Sequence, residues 1–410
     1  MSRPRILFVD DDPQILQGLR NSLYRRRRDW EMVFAPDGET ALAEFDKNPF
    51  DVVVSDMRMP SMDGATLLLK IRERYPDAIR IVLSGYAERE SVLRTLPVSH
   101  QFLSKPCEGD RLSQVLSNGL TLRSILRNSD IRRLIGKLDR LPSAPEIFGR
   151  LVGAIENPTV ASRAIAEIIE SDPALSVKVL QLVNSAYFGL ARETSSIVEA
   201  VTYLGVETMK MLALTARMFM MADDARVAGF SWDNLQQRAV LGARLAGRLI
   251  PDSLTRSSAF TAALLRDLGQ IVLAITNPQV FSEAQRRLAA GDALRHQTEA
   301  AQLGFHHGQV GAYLLGLWGL PFPIVIAVAY CHTPAEMDAT GGADVLATVH
   351  IADALIDEAL SRDLQSPPES RLDPVFVEAL GLSSRIPSWR QLAQEMVDGR
   401  VTAGTTAHGR

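Results

Sequence analysis

Over its first 122 residues the chain alternates short apolar runs with amphipathic segments. The runs at 6–9, 32–34, 52–55, 79–84 and 101–103 are too short for helices. Their near-continuous apolar character is that of strands buried on both faces of a parallel sheet. The stretches between them space their apolar residues helically, the first entered through Asp12-Pro13, a helix start with proline near the first turn. This alternation predicts a doubly wound α/β domain on a five-stranded parallel sheet.

From Asp110 the apolar residues keep an approximately helical spacing through Leu138 to a break at Leu141-Pro142, with Gly119 the one weak point. Two readings stand side by side. One is a surface helix, a break and a second helix that belongs to the next domain. The other is a connector that transmits a signal by pairing with a second copy of the chain, although its spacing is too irregular for a regular coiled coil. Beyond Leu141 helical patterns follow one another: 174–189 after the Ser171-Asp172-Pro173 start, then 197–204, 206–221, 234–249, 257–275, 280–290, 299–317, 322–331 and 343–360. No run of strands intervenes, so an all-α domain is expected. After Ser361 the pattern loosens into a linker at 366–370, short helices at 374–380 and 389–397, and a tail from Val401 expected to be disordered. The organisation read here is therefore 1–122, a helical linker 123–140, an all-α domain 141–362, and 363–410 as short helices and a flexible tail.

Composition adds bounds. A chain of 410 residues exceeds one ordinary core, and its 46% hydrophobic and 22% charged residues describe a globular protein. A net charge of −4 supplies no general field toward nucleic acid or acidic lipid. The run Arg25 to Arg28 reads as a solvated helix end. Cys107 and Cys331 fall in different domains and suggest no disulfide framework, as in a reducing cytoplasm. The start Met-Ser-Arg-Pro-Arg leads into a strand without an apolar signal core, and the apolar stretch from Leu314 to Cys331 is cut by Pro321 and Pro323. A cytoplasmic protein without membrane insertion is expected.

The strand ends carry the chemistry. The third strand stops at Asp56, where a carboxylate could simply cap the next helix. The first strand, however, runs into Asp10-Asp11-Asp12, acids whose mutual repulsion calls for a hard cation such as Mg²⁺. The fourth delivers the hydroxyl of Ser84 and the fifth the ammonium of Lys105. In a doubly wound sheet these ends share one edge, where such folds place their ligands. Nucleophile, metal ligands, hydrogen-bond donor and countercharge together make a phosphoryl-transfer set.

On these residues, 1 to about 122 resemble a response-regulator receiver domain. The resemblance implies Asp56 as phosphoacceptor, with Asp10, Asp11, Asp56 and the backbone carbonyl of Arg58 holding Mg²⁺. It further implies Ser84 and Lys105 as catalytic partners, Phe102 as switch aromatic and a cis peptide at Lys105-Pro106. A sensor histidine kinase is the implied phosphodonor in a two-component phosphorelay.

The second domain resembles the HDOD family over about 136–360. The resemblance rests on Leu-Pro-Ser-Ala-Pro-Glu from Leu141, Ser-Asp-Pro-Ala-Leu from Ser171, Val-Asn-Ser-Ala-Tyr-Phe-Gly from Val183, and Leu303-Gly304-Phe305-His306-His307-Gly308. HDOD domains are non-catalytic relatives of HD hydrolases, whose His and Asp residues hold metal for phosphoester cleavage. The defining dyad falls on Arg266-Asp267, and Arg238 lies on the helix that would supply another His. Arginine cannot ligate a cation and repels one. The remnant positions Asp267, His307, His332, His350 and Asp353 are therefore not expected to bind metal. The expected function is a response regulator whose linker passes the state of Asp56 to a non-catalytic HDOD domain. That domain would act by binding a downstream protein or a ligand, with a homodimer possible in principle. The rival from the enzyme class is a metal-dependent cyclic-dinucleotide phosphodiesterase. A DNA-binding regulator is the other rival, but no basic helix-turn-helix pattern follows the second domain, so no direct DNA binding is expected.

Overall fold

The computed structural model describes residues 3–85, 98–105, 107–125, 129–136, 141–143, 151, 154, 160–184, 193–214, 219–221, 230–250, 252–337, 343–361 and 371–406. The N-terminal part runs β1 (Arg5–Val9), α1 (Pro13–Ser22), β2 (Glu31–Ala35), α2 (Gly38–Lys47), β3 (Val52–Asp56), α3 (Gly64–Arg74), β4 (Ile79–Gly85), β5 (Gln101–Lys105) and α4 (Gly109–Ile125). The five strands form one sheet in the order β2-β1-β3-β4-β5, every pair parallel. Val52, Val53 and Val54 of the central strand are fully buried, as expected of a strand covered on both faces. An aspartate caps each of the first three helices: Asp12 accepts from the Gln14 amide, Asp37 from Thr40 and Asp63 from Thr66. The crossing of β1 to β3, with β2 outside, puts the C-terminal ends of both strands next to each other at the sheet's switch point.

Next come α5 (Ser129–Gly136), β6 (Leu141–Ser143), α6 (Ser162–Glu170), α7 (Pro173–Asn184), α8 (Ile197–Leu214), β7 (Phe219–Met221), α9 (Trp232–Leu249), α10 (Ser253–Leu265), α11 (Leu268–Thr276) and α12 (Pro278–Ala290). The chain continues through α13 (Arg295–Leu303), α14 (His307–Leu317), α15 (Phe322–Tyr330), α16 (Ala343–Ser361), α17 (Pro374–Ala379) and α18 (Ile386–Thr406). The expected helical architecture is there, with four differences. Residues 219–221, read as the end of a helix, form β7, which pairs in parallel with β6; two three-residue strands leave no periodicity to read. The span 257–275 is two helices that meet at Arg266-Asp267, and 299–317 is two helices separated by Gly304, whose φ of 74° ends α13. Residues 401–406, expected to be disordered, continue α18, which packs on α16 with Ala393 and Val397 buried.

Between the two parts, α4 and α5 flank residues 126–128. Arg123 on α4 donates to the carbonyls of Asp51 and Asp77 at 3.0 and 2.6 Å and pairs with the Asp51 carboxylate at 3.0 Å, which fastens that helix to the sheet. α14 packs against both α4 and α5. Gly319, at φ 73°, lies where a Cβ would touch the Gln101 carboxamide of β5, so the helical domain rests directly on the last strand of the sheet. Thr255–Thr276 has the length and hydropathy of a membrane span, yet 78% of its apolar 18-residue window is buried and the Arg266-Asp267 turn interrupts it.

Candidate functional site

At the C-terminal edge of the sheet, β1 delivers Asp10, β3 delivers Asp56 and β5 delivers Lys105. Asp10 is 1% exposed and Asp56 7%. The Lys105 ammonium donates to Asp10 Oδ2 at 2.6 Å and is paired with Asp56 Oδ1. Asp56 Oδ2 accepts from the Arg58 amide at 2.8 Å, and Asp10 Oδ1 accepts from the Asp12 amide at 3.0 Å. Burial raises the Asp10 carboxyl above its ordinary value even though the Lys105 bond works the other way. Burial also opposes the charge of Lys105, but its bonds to Asp10 and Asp56 outweigh that and raise it. Gly64 makes the close approach possible, since a Cβ there would collide with the Asp56 carbonyl oxygen.

Asp11 is exposed beside this group. The backbones of Ser84 and Phe102 lie on β4 and β5, where Ser84 pairs with Ser104 and Val82 with Phe102. Their side chains lie outside what the structure describes, as does Pro106 and with it the expected cis peptide. The edge thus brings Asp10, Asp56 and Lys105 together around one point. Two buried carboxylates, Asp10 and Asp56, converging on one point form a hard-oxygen donor set suited to Mg²⁺.

The second group lies in the helical domain. Arg266 closes α10 and is fully buried. Its Nε donates to Asp353 Oδ1 of α16 at 2.7 Å, its Nη2 pairs with Asp267 at 3.3 Å, and its Nη1 donates to the Ala263 carbonyl at 2.8 Å. Arg238 of α9 pairs with Asp357 and, at 3.5 Å, with Asp353. Burial pushes the Asp353 carboxyl up, but the guanidiniums of Arg266 and Arg238 prevail and hold it well below the usual range. Arg266 thus forms buried ion pairs with both Asp267 and Asp353.

His307 opens α14 with Nδ1 2.6 Å from Glu299 Oε2 and Nε2 2.8 Å from His332 Nε2. A tautomer with Nδ1–H donating to Glu299 leaves Nε2 to accept from His332. Asp267, His307 and His332 each place a ligand atom within 4.8 Å of the others, so three of the five remnant positions meet. Asp353 joins them at 3.8 Å from His332 Nδ1. His350 does not: its Nδ1 faces the Cys331 carbonyl at 2.7 Å and its Nε2 accepts from the Asp373 amide at 2.9 Å, fixing the segment before α17. Gly269 lets α11 abut α14, because a Cβ there would overlap the His307 carbonyl oxygen.

Sequence reasoning missed Glu299, Asp357, Arg295, His296 and Arg371 around this group. Charged side chains read locally as solvent-facing, and only long-range packing gathers these.

Buried carboxylates gathered around one lysine at a doubly wound sheet edge, with a helical domain resting on the last strand, define a signalling receiver joined to an output domain. The response regulator receiver family model matches residues 6–117 and the HDOD family model residues 141–334. The chain thus carries a receiver domain followed by an HDOD domain. Among curated relatives, an uncharacterized protein of Treponema pallidum is 27% identical over 199 residues, 48% of this chain and 38% of that one. The response regulator protein PilR of Pseudomonas aeruginosa is 30% identical over 125 residues, 30% of this chain and 28% of that one. The chain thus spans about a third of the length of these relatives. The MmoQ response regulator of Methylococcus capsulatus is similar in structure, at 22% identity and a TM-score of 0.48, covering 60% of this chain and 98% of that one. A receiver domain of an HD domain-containing protein from Pseudomonas fluorescens is 33% identical, covering 29% of this chain and 96% of that one, with a TM-score of 0.28.

Proposed function

We propose that this chain is a phosphorylation-controlled response regulator of the cytoplasm, whose HDOD domain acts by binding and not by hydrolysis. The observation that carries the reading is the meeting of Asp10, Asp56 and Lys105 at one sheet edge. An Asp56 carboxylate oxygen attacks the phosphorus of a kinase phosphohistidine, the N–P bond breaks, and an acyl phosphate forms on Asp56. The imidazole leaves with the electron pair of that bond. Lys105 holds the carboxylate in place beforehand and can follow the new phosphoryl oxygens as a countercharge. The Arg58 amide fixes the other carboxylate oxygen. Asp10, Asp11, Asp56 and the Arg58 carbonyl would hold Mg²⁺, which supplies neutralisation of the charge that builds up on the transferring group. The Ser84 hydroxyl is assigned to the product phosphoryl group and Phe102 to the switch on β5.

The same strand offers the route outward. Gln101 precedes Phe102 on β5 and borders Gly319 of the helical domain, so a rearrangement of β5 reaches the HDOD surface without crossing solvent. In that domain the Arg266 ion pairs with Asp267 and Asp353 support a binding role over metal hydrolysis. The partners assigned are a sensor histidine kinase upstream and a protein downstream.

Intact-mass measurement after incubation with acetyl phosphate and Mg²⁺ tests the first half. One acid-stable, base-labile phosphoryl group is expected on the parent and none on Asp56→Asn; equal labelling of both sinks the assignment. Metal analysis tests the second half. A stoichiometric transition metal, with cyclic-dinucleotide turnover lost in Asp267→Ala, would restore the phosphodiesterase reading.

A further inference from the structure

The HDOD domain encloses a cavity of about 210 Å³ whose walls include Asp267, His307 and His332. Three guanidiniums also face it: Arg238 from α9, Arg295 from the start of α13, and Arg371 from the segment before α17. Asp267 is the lining carboxylate and is already paired with Arg266. Arg238 pairs with Asp357 and, at 3.5 Å, with Asp353, and Arg371 pairs with the same Asp357 at 2.5 Å. That leaves donors over. Among the described residues, Nη1 of Arg295 and Nε of Arg371 are buried without a hydrogen-bond partner, although buried donors are almost always satisfied. The Arg295 guanidinium lies 5.0 Å over the Phe281 ring, while its other arm reaches Gln285. Burial draws Arg295 down to about 10, with Glu299 and Asp267 offsetting only part of that.

We infer that this cavity is a binding site for a phosphate monoester, held directly by Arg238, Arg295 and Arg371 without a metal ion. A tetrahedral phosphate offers three acceptor oxygens and up to two charges, which suits several guanidinium forks entering one space from different elements. A carboxylate has two coplanar oxygens and could satisfy one fork fully. The remaining wall is mixed, with Phe230 and Leu288 apolar and Asn234 and Gln270 polar, and so suits a small organic moiety on the ester. The site deepens the binding role proposed above for this domain. It is distinct from the receiver edge, so the two can fail separately.

The test is calorimetric titration of the full-length Asp56→Asn protein, with EDTA present, against adenosine 5′-monophosphate, inorganic phosphate and adenosine. In this background the receiver edge takes up no phosphoryl group, so loss of Asp56 labelling and loss of ligand binding are read independently. The nucleotide is expected to bind, inorganic phosphate to compete with it, and adenosine to give no heat. Arg371→Gln and Arg295→Gln should each weaken nucleotide binding about tenfold or more, near 1.4 kcal/mol. If Arg295→Gln does not fold, as judged by its thermal melt, Arg371→Gln decides alone. Absence of binding to the nucleotide and to phosphate overturns the inference, and so does equal affinity for adenosine. Binding that appears only when Mn²⁺ replaces EDTA, or that the folded Arg371→Gln protein retains unchanged, overturns the direct arginine contact.

Discussion

Arg266 carries a fully buried cation into the core of the helical domain. Its guanidinium lies between Asp267, at 3.3 Å, and Asp353, at 2.7 Å. Because the pair is fully buried, removing one member leaves the other charge unpaired. Arg266→Ala is therefore expected to destabilise the protein by roughly 3–5 kcal/mol in a denaturant melt. Lys178 makes the opposite case. Its ammonium is buried with the Gln181 carboxamide at 3.2 Å and the Trp318 ring at 4.2 Å, neither of them charged. Burial lowers it from 10.5 to about 8. Across that interval the unfolded chain keeps a proton that the folded protein has released, so stability rises with pH there. Lys178→Met should accordingly melt at a higher temperature than the parent at pH 7. The gain should shrink as pH climbs from about 8 to 10.5; a gain independent of pH would show that the lysine charge costs nothing in place.

At the scale of elements, close backbone approaches set the geometry of both sites. Gly269 is the sharpest, because α11 meets α14 through it. Gly269→Ala should cost at least roughly 1–3 kcal/mol, the range for overpacking, and a urea melt indistinguishable from the parent would contradict the contact. Much of this level was legible beforehand. Strands of the receiver announced themselves because burial on both faces leaves uninterrupted valine and isoleucine, and the acids, Ser84 and Lys105 could be placed because each ends such a run. Helices of the second domain were visible as a class. Their breaks were not: Arg266-Asp267 interrupts a pattern that stays apolar on both sides, and Gly304 had to be recognised as a left-handed terminus. The β6–β7 pair consists of three-residue strands far apart in sequence, a contact that no local period encodes. Arg295 and Arg371 escaped notice because long-range packing alone gives them a common cavity.

For the molecule as a whole, the question is whether the two domains are coupled or merely adjacent. Arg123 ties α4 to the sheet, and α14 lies across both α4 and α5. Phosphorylation of Asp56 adds charge and acceptor oxygens at the edge from which β5 leads to that contact. A bias of a few kcal/mol on a two-state packing is within reach of such a network. Amide exchange along residues 100–136 and in α14 is expected to change on phosphorylation, together with the scattering profile. Ser84→Ala should mute the change while leaving Asp56 modified. Superimposable exchange and scattering profiles would mean that the domains are only tethered.

The last stretch of chain has a bearing on inheritance. The HDOD family match ends at residue 334, but α16, α17 and α18 follow it, with Arg371 paired to Asp357, Arg390 paired to Glu358 at 2.6 Å, and Val377 buried. A gene fusion that moved only the matched segment onto another receiver would leave behind a wall of the arginine cavity and the helices packed on its flank. A fragment that ends at residue 334 is therefore expected to melt below one that keeps the chain through α18, and equal melting temperatures would contradict the packing of these helices.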